Sequence, residues 1–298
     1  MISFDGLFEL PARMLGIETG GKEVTLVSHA HSDHLPTRYK KNHIVCSEIT
    51  GKVIEHKKRK EIKRFSHSSI ELYDAGHVLG SSMFLINKRV LYTGDFNFTE
   101  GGGVNLIPCE TLIMECTYGK PQYVFPSREK VFEELREYIV EHGKVMISCS
   151  DSFFGKVQEL CFVLDGFGIP FSVHAGIRRM NEHLGLFFKH CVSDADVLIT
   201  TPLASVALPG WKQVKLTGWA SEGWNVGGDA SFVLSSHADY PSLLAFVEGC
   251  KPKTVYLHHG FVQEFAADLR GRGYRAFPLV ALTGEKREKG QLTIGKFW

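Results

Sequence analysis

Apolar and polar positions in the first third of the chain change over in short blocks rather than in long helical waves. Val24-Thr25-Leu26-Val27-Ser28 is β-rich, and Ser69-Ile70-Glu71-Leu72-Tyr73 alternates with the period of a half-buried strand. Ser82 to Ile86 and Arg89 to Thr93 read as two strands joined by a tight turn at Asn87-Lys88. Thr111 to Glu115 is a further apolar strand that ends on an acid. From about residue 121 the pattern changes. Ser127 is placed to cap a helix whose apolar face is Val131, Leu135, Tyr138 and Ile139, stopped by Gly143. A strand from Lys144 to Ser148, a helix from Phe154 to Leu164 stopped by Gly166 and Gly168, and a strand from Ile169 to Val173 follow. This β-α-β alternation predicts a parallel sheet of its own. Ser231 to Ser235, a helix from Pro241 to Glu248 and a strand from Thr254 to Leu257 return to the first style. The expected fold class is therefore α/β: a domain made of residues 1–120 and 226–298, interrupted by an inserted α/β domain at 121–225.

Composition narrows the setting without choosing a function. At ~150 residues per domain, 298 residues with 44% hydrophobic and 22% charged positions suit one large or two modest globular domains. A formal net charge of +1 gives no global attraction for nucleic acid, so such a partner must be held by a local patch. The seven cysteines are scattered with no CxxC pair, which predicts reduced thiols rather than a disulfide framework. The opening MISFDGLFELPARMLG carries an acid early and lacks the apolar run of a signal peptide. The apolar stretches fall short of the ~20 residues that span a bilayer. A soluble, cytoplasmic protein without a membrane partner is expected.

The chemistry concentrates where the first strand ends. Ser28-His29-Ala30-His31-Ser32-Asp33-His34 packs three imidazoles and a carboxylate into one short loop. Imidazole and carboxylate are the ligands zinc takes when one position must stay open to solvent. On extended chain His29 and His31 point the same way, and Asp33 and His34 follow the turn and can face a second ion. Further ligands must come from elsewhere. His77 sits in the glycine-flanked turn Asp74-Ala75-Gly76-His77-Val78-Leu79-Gly80, and Asp95 ends the strand of Leu91-Tyr92-Thr93-Gly94-Asp95-Phe96. Alone, each would pass for an ordinary turn residue; beside HxHxDH they are candidate ligands.

HxHxDH, GHVLGSSMF and YTGDF in this order resemble the metallo-β-lactamase superfamily, and the GHxxGS and TGDF forms resemble its β-CASP nuclease branch. Met114-Glu115-Cys116-Thr117-Tyr118-Gly119 resembles the branch's acidic motif, Ser235-Ser236-His237-Ala238-Asp239-Tyr240 its histidine motif, and Leu257-His258-His259-Gly260 its final HG motif. Gly155-Lys156-Val157-Gln158-Glu159-Leu160 resembles the start of the inserted domain's helix. The likeness spans roughly residues 20 to 290. It implies an αββα sandwich carrying an inserted β-CASP domain. It implies two zinc ions, with manganese or iron also suited to such ligands: one on His29, His31 and His77, the other on Asp33, His34 and His259, with Asp95 between them. Asp33, Asp95, Glu115 and His237 are the expected catalytic residues. His237 is expected to act as an acid held by Glu115, and His258 to point to the other face of its strand. The family usually has an aspartate ahead of HxHxDH that braces the loop; here Glu18 or Asp5 must serve.

Other features have two readings each. Ser148, Ser150, Ser152 and Lys156 surround a helix start that suits a phosphate, although Asp151 would repel one and a serine-rich cap explains the serines as well. Lys57-Lys58-Arg59-Lys60 either tracks a nucleic-acid backbone or is a solvated helix face. Trp219 and Trp224 are base-stacking candidates or core residues. His174, after a strand of the insert, is the remaining histidine of interest.

The function these features imply is a zinc-dependent nuclease that hydrolyses single-stranded RNA or DNA in a cleft between the two domains. RNA is placed ahead because His259 resembles the RNA-processing members. The histidine and HG motifs also resemble ligase-associated DNA exonucleases. A small-molecule metallo-hydrolase and a non-catalytic nucleic-acid binder are the other readings. Endo- or exonuclease action and a homodimer stay open.

Overall fold

The computed structural model describes residues 15–18, 24–35, 43–62, 64–98, 103–149, 152–204, 208–222 and 227–279. Asp5, Ser150 and Trp224 lie outside them. The first segment holds β1 (Leu15–Ile17), β2 (Val24–Leu26), β3 (Ile44–Val45), α1 (Glu48–Lys58), β4 (Ile70–Asp74), β5 (Ser82–Ile86), β6 (Val90–Tyr92) and β7 (Thr111–Cys116). The middle holds α2 (Arg128–His142), β8 (Val145–Ser148), α3 (Lys156–Gly166), β9 (Ser172–Val173), α4 (Ala175–Leu184), β10 (Val197–Thr200), β11 (Lys212–Leu216) and β12 (Ala230–Phe232). The last holds α5 (Tyr240–Cys250), β13 (Thr254–Gly260), α6 (Val262–Gly271) and β14 (Ala276–Pro278).

Local chemistry explains the boundaries. Ser127 accepts a hydrogen bond from the Lys130 amide and starts α2; Gly143 ends it at φ 72°. Asp239 caps α5 through the Ser242 amide, with Pro241 in the first turn. Asn87 and Lys88 both adopt positive φ, 51° and 55°, as a two-residue turn between β5 and β6 requires.

Two sheets face each other. β1-β2-β3 is parallel throughout, and β14-β13-β7-β6-β5-β4 is mixed, with antiparallel pairing at β4–β5–β6. Leu26, Val45, Phe84, Ile86, Tyr92 and Ile113 fill the space between them. The far face of the larger sheet packs Leu85, Leu112 and Met114 against Leu243, Phe246, Phe265 and Leu269 of α5 and α6. Helix α1 covers the smaller sheet through Val53 and Ile54. The layers run helix, sheet, sheet, helices: the expected αββα sandwich.

The middle segment builds its own parallel sheet, in the order β12-β11-β8-β10-β9, around a separate apolar core. One expectation changes here. The strand placed at Ser231 to Ser235 as a return to the first domain is instead β12, paired in parallel with β11 on the edge of the middle sheet. Parallel partners are joined by long connections, so a local pattern of apolar residues does not reveal which sheet a strand enters. Phe154 and Met180 of the middle segment are buried in the core of α1 and the His29–His34 loop, which fastens the two halves together.

Candidate metal centre

The strand directions bring the candidate ligands to one edge. β6, β7 and β13 are parallel, and the β4–β5–β6 pairing points β4 the same way. The turn after β4, the loop after β6 and the last residues of β7 and β13 therefore meet at the carboxyl ends of the strands, where open α/β sheets leave a crevice. Those segments carry His77, Asp95, Glu115 and the His258-His259 pair, and the loop after β2 adds His29 to His34.

Asp95 lies in the middle. Its Oδ2 is 3.2 Å from His34 Nε2, 3.7 Å from His29 Nε2 and 3.8 Å from His77 Nε2, and its Oδ1 is 3.5 Å from His259 Nδ1. His77 Nε2 is 3.2 Å from His31 Nδ1. His29, His31 and His77 form one compact trio and His34, Asp95 and His259 another; each has its ligand atoms within 4.8 Å of one another. Asp33 stands apart from these trios. Its side chain is 74% exposed, with Oδ2 3.6 Å from His34 Nε2, at the rim of the second trio.

The residues fit cations. His29 Nε2, His34 Nε2 and Asp95 Oδ1 are buried without a hydrogen-bond partner, and such atoms are rare unless something completes them. The other nitrogen of His29, His31, His34 and His77 is engaged, as in metal-ligating histidines generally. His34 Nδ1 meets Glu18 Oε2 at 2.7 Å, His77 Nδ1 meets the Ser236 carbonyl at 2.9 Å, and His29 Nδ1 meets Ser28 Oγ at 3.1 Å. His31 is turned the other way: its Nε2 meets the Phe154 carbonyl at 3.2 Å and leaves Nδ1 for the centre.

Glu18 is the brace. Besides His34 it accepts from the Ser28 hydroxyl and from Tyr92 Oη at 2.7 Å. Two glycines allow the close approach. A Cβ on Gly94, at φ 57°, would lie 2.4 Å from Ser28 Cβ, and one on Gly260, at φ 71°, would lie 2.2 Å from the Cys116 carbonyl oxygen. His259 itself adopts φ 56° where the β13–β7 register shifts, and this bulge separates the roles of the last two histidines. His258 is half-buried and stacks on Tyr92, ring centroids 5.4 Å apart.

Charge follows burial. Desolvation holds His29 and His77 well below the usual histidine range and His31 at about 4, so these rings are neutral and free to ligate. Burial would also lower His34, but the carboxylates of Asp95 and Glu18 outweigh it and raise it well above its ordinary value. Burial would raise Asp95, yet the charge of His34 and the approach of His259 Nδ1 hold it well below. The proton on His34 thus balances two carboxylates at the spot a cation would occupy.

Beside this cluster, Glu115 is fully buried and its Oε1 lies 2.7 Å from His237 Nδ1. Backbone amides of Phe96 and Thr117 donate to the same carboxylate at 3.3 and 2.8 Å. Burial pulls His237 down, but the Glu115 charge and hydrogen bond prevail and raise it. Its ring centroid is 4.6 Å from that of His77.

Among the described residues, the candidate phosphate-binding side chains of Ser148, Ser152 and Lys156 have separate surroundings. Ser148 is buried at the end of β8. Lys156 Nζ donates to the Leu234 carbonyl at 3.4 Å, on the His237 side. Ser152 accepts from the Phe154 amide at 3.2 Å and from Lys57 Nζ at 3.5 Å, on the metal-loop side. Trp219 packs against Tyr118 and Tyr123, which supports a structural place for it. Two contributors escaped the sequence reading. Tyr92 sits inside the YTGDF motif and was within reach of a closer reading; the Phe154 carbonyl is a backbone atom with no sequence signal.

Residues 230–277 match the family model described as "Zn-dependent metallo-hydrolase RNA specificity domain". The chain is 33% identical to a probable DNA ligase of Opitutus terrae, across 91% of this chain and 29% of that protein. It is 29% identical to an RNase J-like protein of Methanocaldococcus jannaschii, across 49% of this chain and 44% of that one. The chain thus spans less than half the length of either relative. A crystal structure of a protein of unknown function from Enterococcus faecalis V583 shares the fold, with TM-score 0.56, 12% identity, and coverage of 81% of this chain and 76% of that one.

Proposed function

Because this chain belongs to the β-CASP nuclease branch of the metallo-β-lactamase superfamily, we propose that it is a zinc-dependent nuclease that hydrolyses phosphodiester bonds of single-stranded nucleic acid. The observation that carries the reading is the pairing of two ligand trios around Asp95 with a buried Glu115–His237 pair beside them. His29, His31 and His77 would hold one ion, and Asp33, His34 and His259 the other, with Asp95 shared. Two zinc ions in such a place supply hydroxide at neutral pH and neutralise charge on a phosphoryl oxygen.

The protein's own groups do the rest. Glu18 fixes His34 and, through Ser28, His29. His237, kept protonated by Glu115, gives its proton to the departing oxygen from Nε2, the nitrogen that Glu115 does not hold. The insert bears directly on the centre through the Phe154 carbonyl on His31, which favours a substrate that runs between the two halves over a small ester. Our division of the chain at 120/121 belongs to this reading, while the second boundary, placed at 225/226 from the sequence, moves past Phe232 because β12 pairs with β11 in the insert's sheet.

The substrate has two supports. The family description and the RNase J-like relative favour RNA. The match that covers 91% of the chain is to a protein named for joining DNA ends, which favours a DNA exonuclease that trims ends for repair. We put DNA first on that coverage, ahead of the RNA that the motifs alone favour. End-labelled single strands of one sequence, as DNA and as RNA, decide it. A ladder on DNA alone supports trimming, and its direction gives polarity. A ladder on RNA alone supports RNA processing. Intact strands of both kinds, with hydrolysis of small esters, refute the nuclease reading.

A further inference from the structure

We propose that the pocket between α1 and the Ser152-Phe153 turn is a nucleotide subsite, in which Lys57 and Lys58 hold a backbone phosphate and Phe153 stacks on the base. The inference rests on the nucleic-acid reading above. It concerns groups outside the metal centre and the Glu115–His237 pair.

A cavity of about 390 Å³ lies here, lined by Ser32, Leu35, Lys57, Lys58, Ser152 and Phe153. Small-ligand sites start near ~300 Å³. Ser32 belongs to the metal loop and directly precedes Asp33, so the cavity opens next to the centre. The lysines at the end of α1 are not one solvated face. Lys58 is exposed, but Lys57 is half-buried and folds back, with Nζ 2.7 Å from the Ala30 carbonyl in the metal loop and 3.5 Å from Ser152 Oγ. An ammonium has three donors, and among the described residues these two partners leave one for a phosphate oxygen. Among the described residues, Asp33 is the carboxylate in electrostatic reach of Lys57; as a candidate metal ligand, its charge would be offset by the ion it would hold.

Phe153 supplies the other half. Phe153 is 38% exposed, while its neighbour Phe154 is fully buried. It is nonetheless held in place. It stacks on His174, centroids 5.0 Å apart and planes 10° apart, and a Cβ on Gly176 would lie 2.7 Å from it. His174 is itself fixed by accepting from the Gly176 amide at 3.1 Å. A fixed, part-exposed aromatic beside two cations is how sequence-tolerant single-strand sites are built, because every base has a π-face. Guanidinium-to-base-edge pairing is absent from the lining residues, so the subsite reads strandedness rather than sequence.

The test is the affinity of zinc-loaded protein for a short dye-labelled single strand, DNA and RNA in separate arms, read by stopped-flow anisotropy before turnover. Phe153→Leu is expected to weaken binding about tenfold, the cost of losing one base–aromatic stack. Phe187→Leu, which removes an 83% exposed ring elsewhere, is expected to bind as wild type does. On an abasic strand of equal length the wild type should already be weak, and Phe153→Leu should add no further loss. Lys58→Gln, an exposed change that cannot disturb folding, should reduce the slope of log affinity against log salt by about 0.7. Loss in one arm only names the sugar the subsite accepts. Unchanged affinity of Phe153→Leu in both arms, or an equal loss on the abasic strand, overturns the proposal. Cleavage is scored separately, so a protein that cuts strands but ignores Phe153 refutes the subsite alone. One that binds through Phe153 but cuts nothing refutes the nuclease reading alone.

Discussion

Glu115 Oε1 and His237 Nδ1 are 2.7 Å apart across 122 residues of chain. Glu115 ends β7 and His237 lies just before α5, so the pair forms only when the last segment docks against the first. Replacing Glu115 with glutamine keeps the shape and one acceptor oxygen, enough for either the Phe96 or the Thr117 amide, and removes the charge that raises His237. His237 works as an acid, so activity is present below its folded pKa and lost as pH rises through it. In Glu115→Gln burial dominates, the pKa falls, and the alkaline limb of the kcat–pH profile should move to lower pH. We expect kcat at neutral pH to drop by about 10²-fold. Paired pH profiles check this; an unmoved limb contradicts it.

Glu18 holds His34, and through Ser28 and Tyr92 it anchors the loop beneath it. Glu18→Gln should lower metal affinity by about 10–100-fold while leaving all the candidate ligands in place. Competition with a chromogenic chelator measures it, and excess zinc should restore activity.

Gly94→Ala puts a Cβ at φ 57° and 2.4 Å from Ser28 Cβ. The backbone cost is about 1–2 kcal/mol, and overpacking adds about 1–3 kcal/mol. The expected result is a lower melting temperature together with weaker metal binding, since Ser28 supports His29 and Gly94 precedes Asp95. Thermal melts with and without zinc show both effects.

Phe154 is fully buried in the core shared by α1, the metal loop and α4. Phe154→Ala should cost about 3–5 kcal/mol. Because the same residue's carbonyl positions His31, the variant should also lose metal affinity, which an equally destabilising cavity at Phe171, deep in the insert's own core, should not. Denaturant titration and metal titration of the two variants separate these effects.

The parts of the molecule that could be read from the sequence were those set by neighbours along the chain. HxHxDH, His77 and Asp95 lie just after strands or in the turn between them, and strand ends with their turns leave local signals. The Ser127 cap of α2 and the Asn87-Lys88 turn were legible for the same reason. What escaped depends on distant partners. β12 joins β11 rather than returning to the first sheet, and nothing in Ala230–Phe232 encodes that choice. The place of Glu18 under the metal loop rests on three contacts from Ser28, His34 and Tyr92 that meet only in the fold. Lys57 reads as one of four like charges until its helix docks on the metal loop.

The most direct test compares wild type with Asp95→Asn, an isosteric change at the residue between both trios. Zinc content and hydrolysis of a labelled single strand are measured on the same samples. The account predicts about two zinc ions per wild-type chain, with both zinc and cleavage lost from Asp95→Asn while the fold is retained. Cleavage that persists in Asp95→Asn without bound zinc would contradict it.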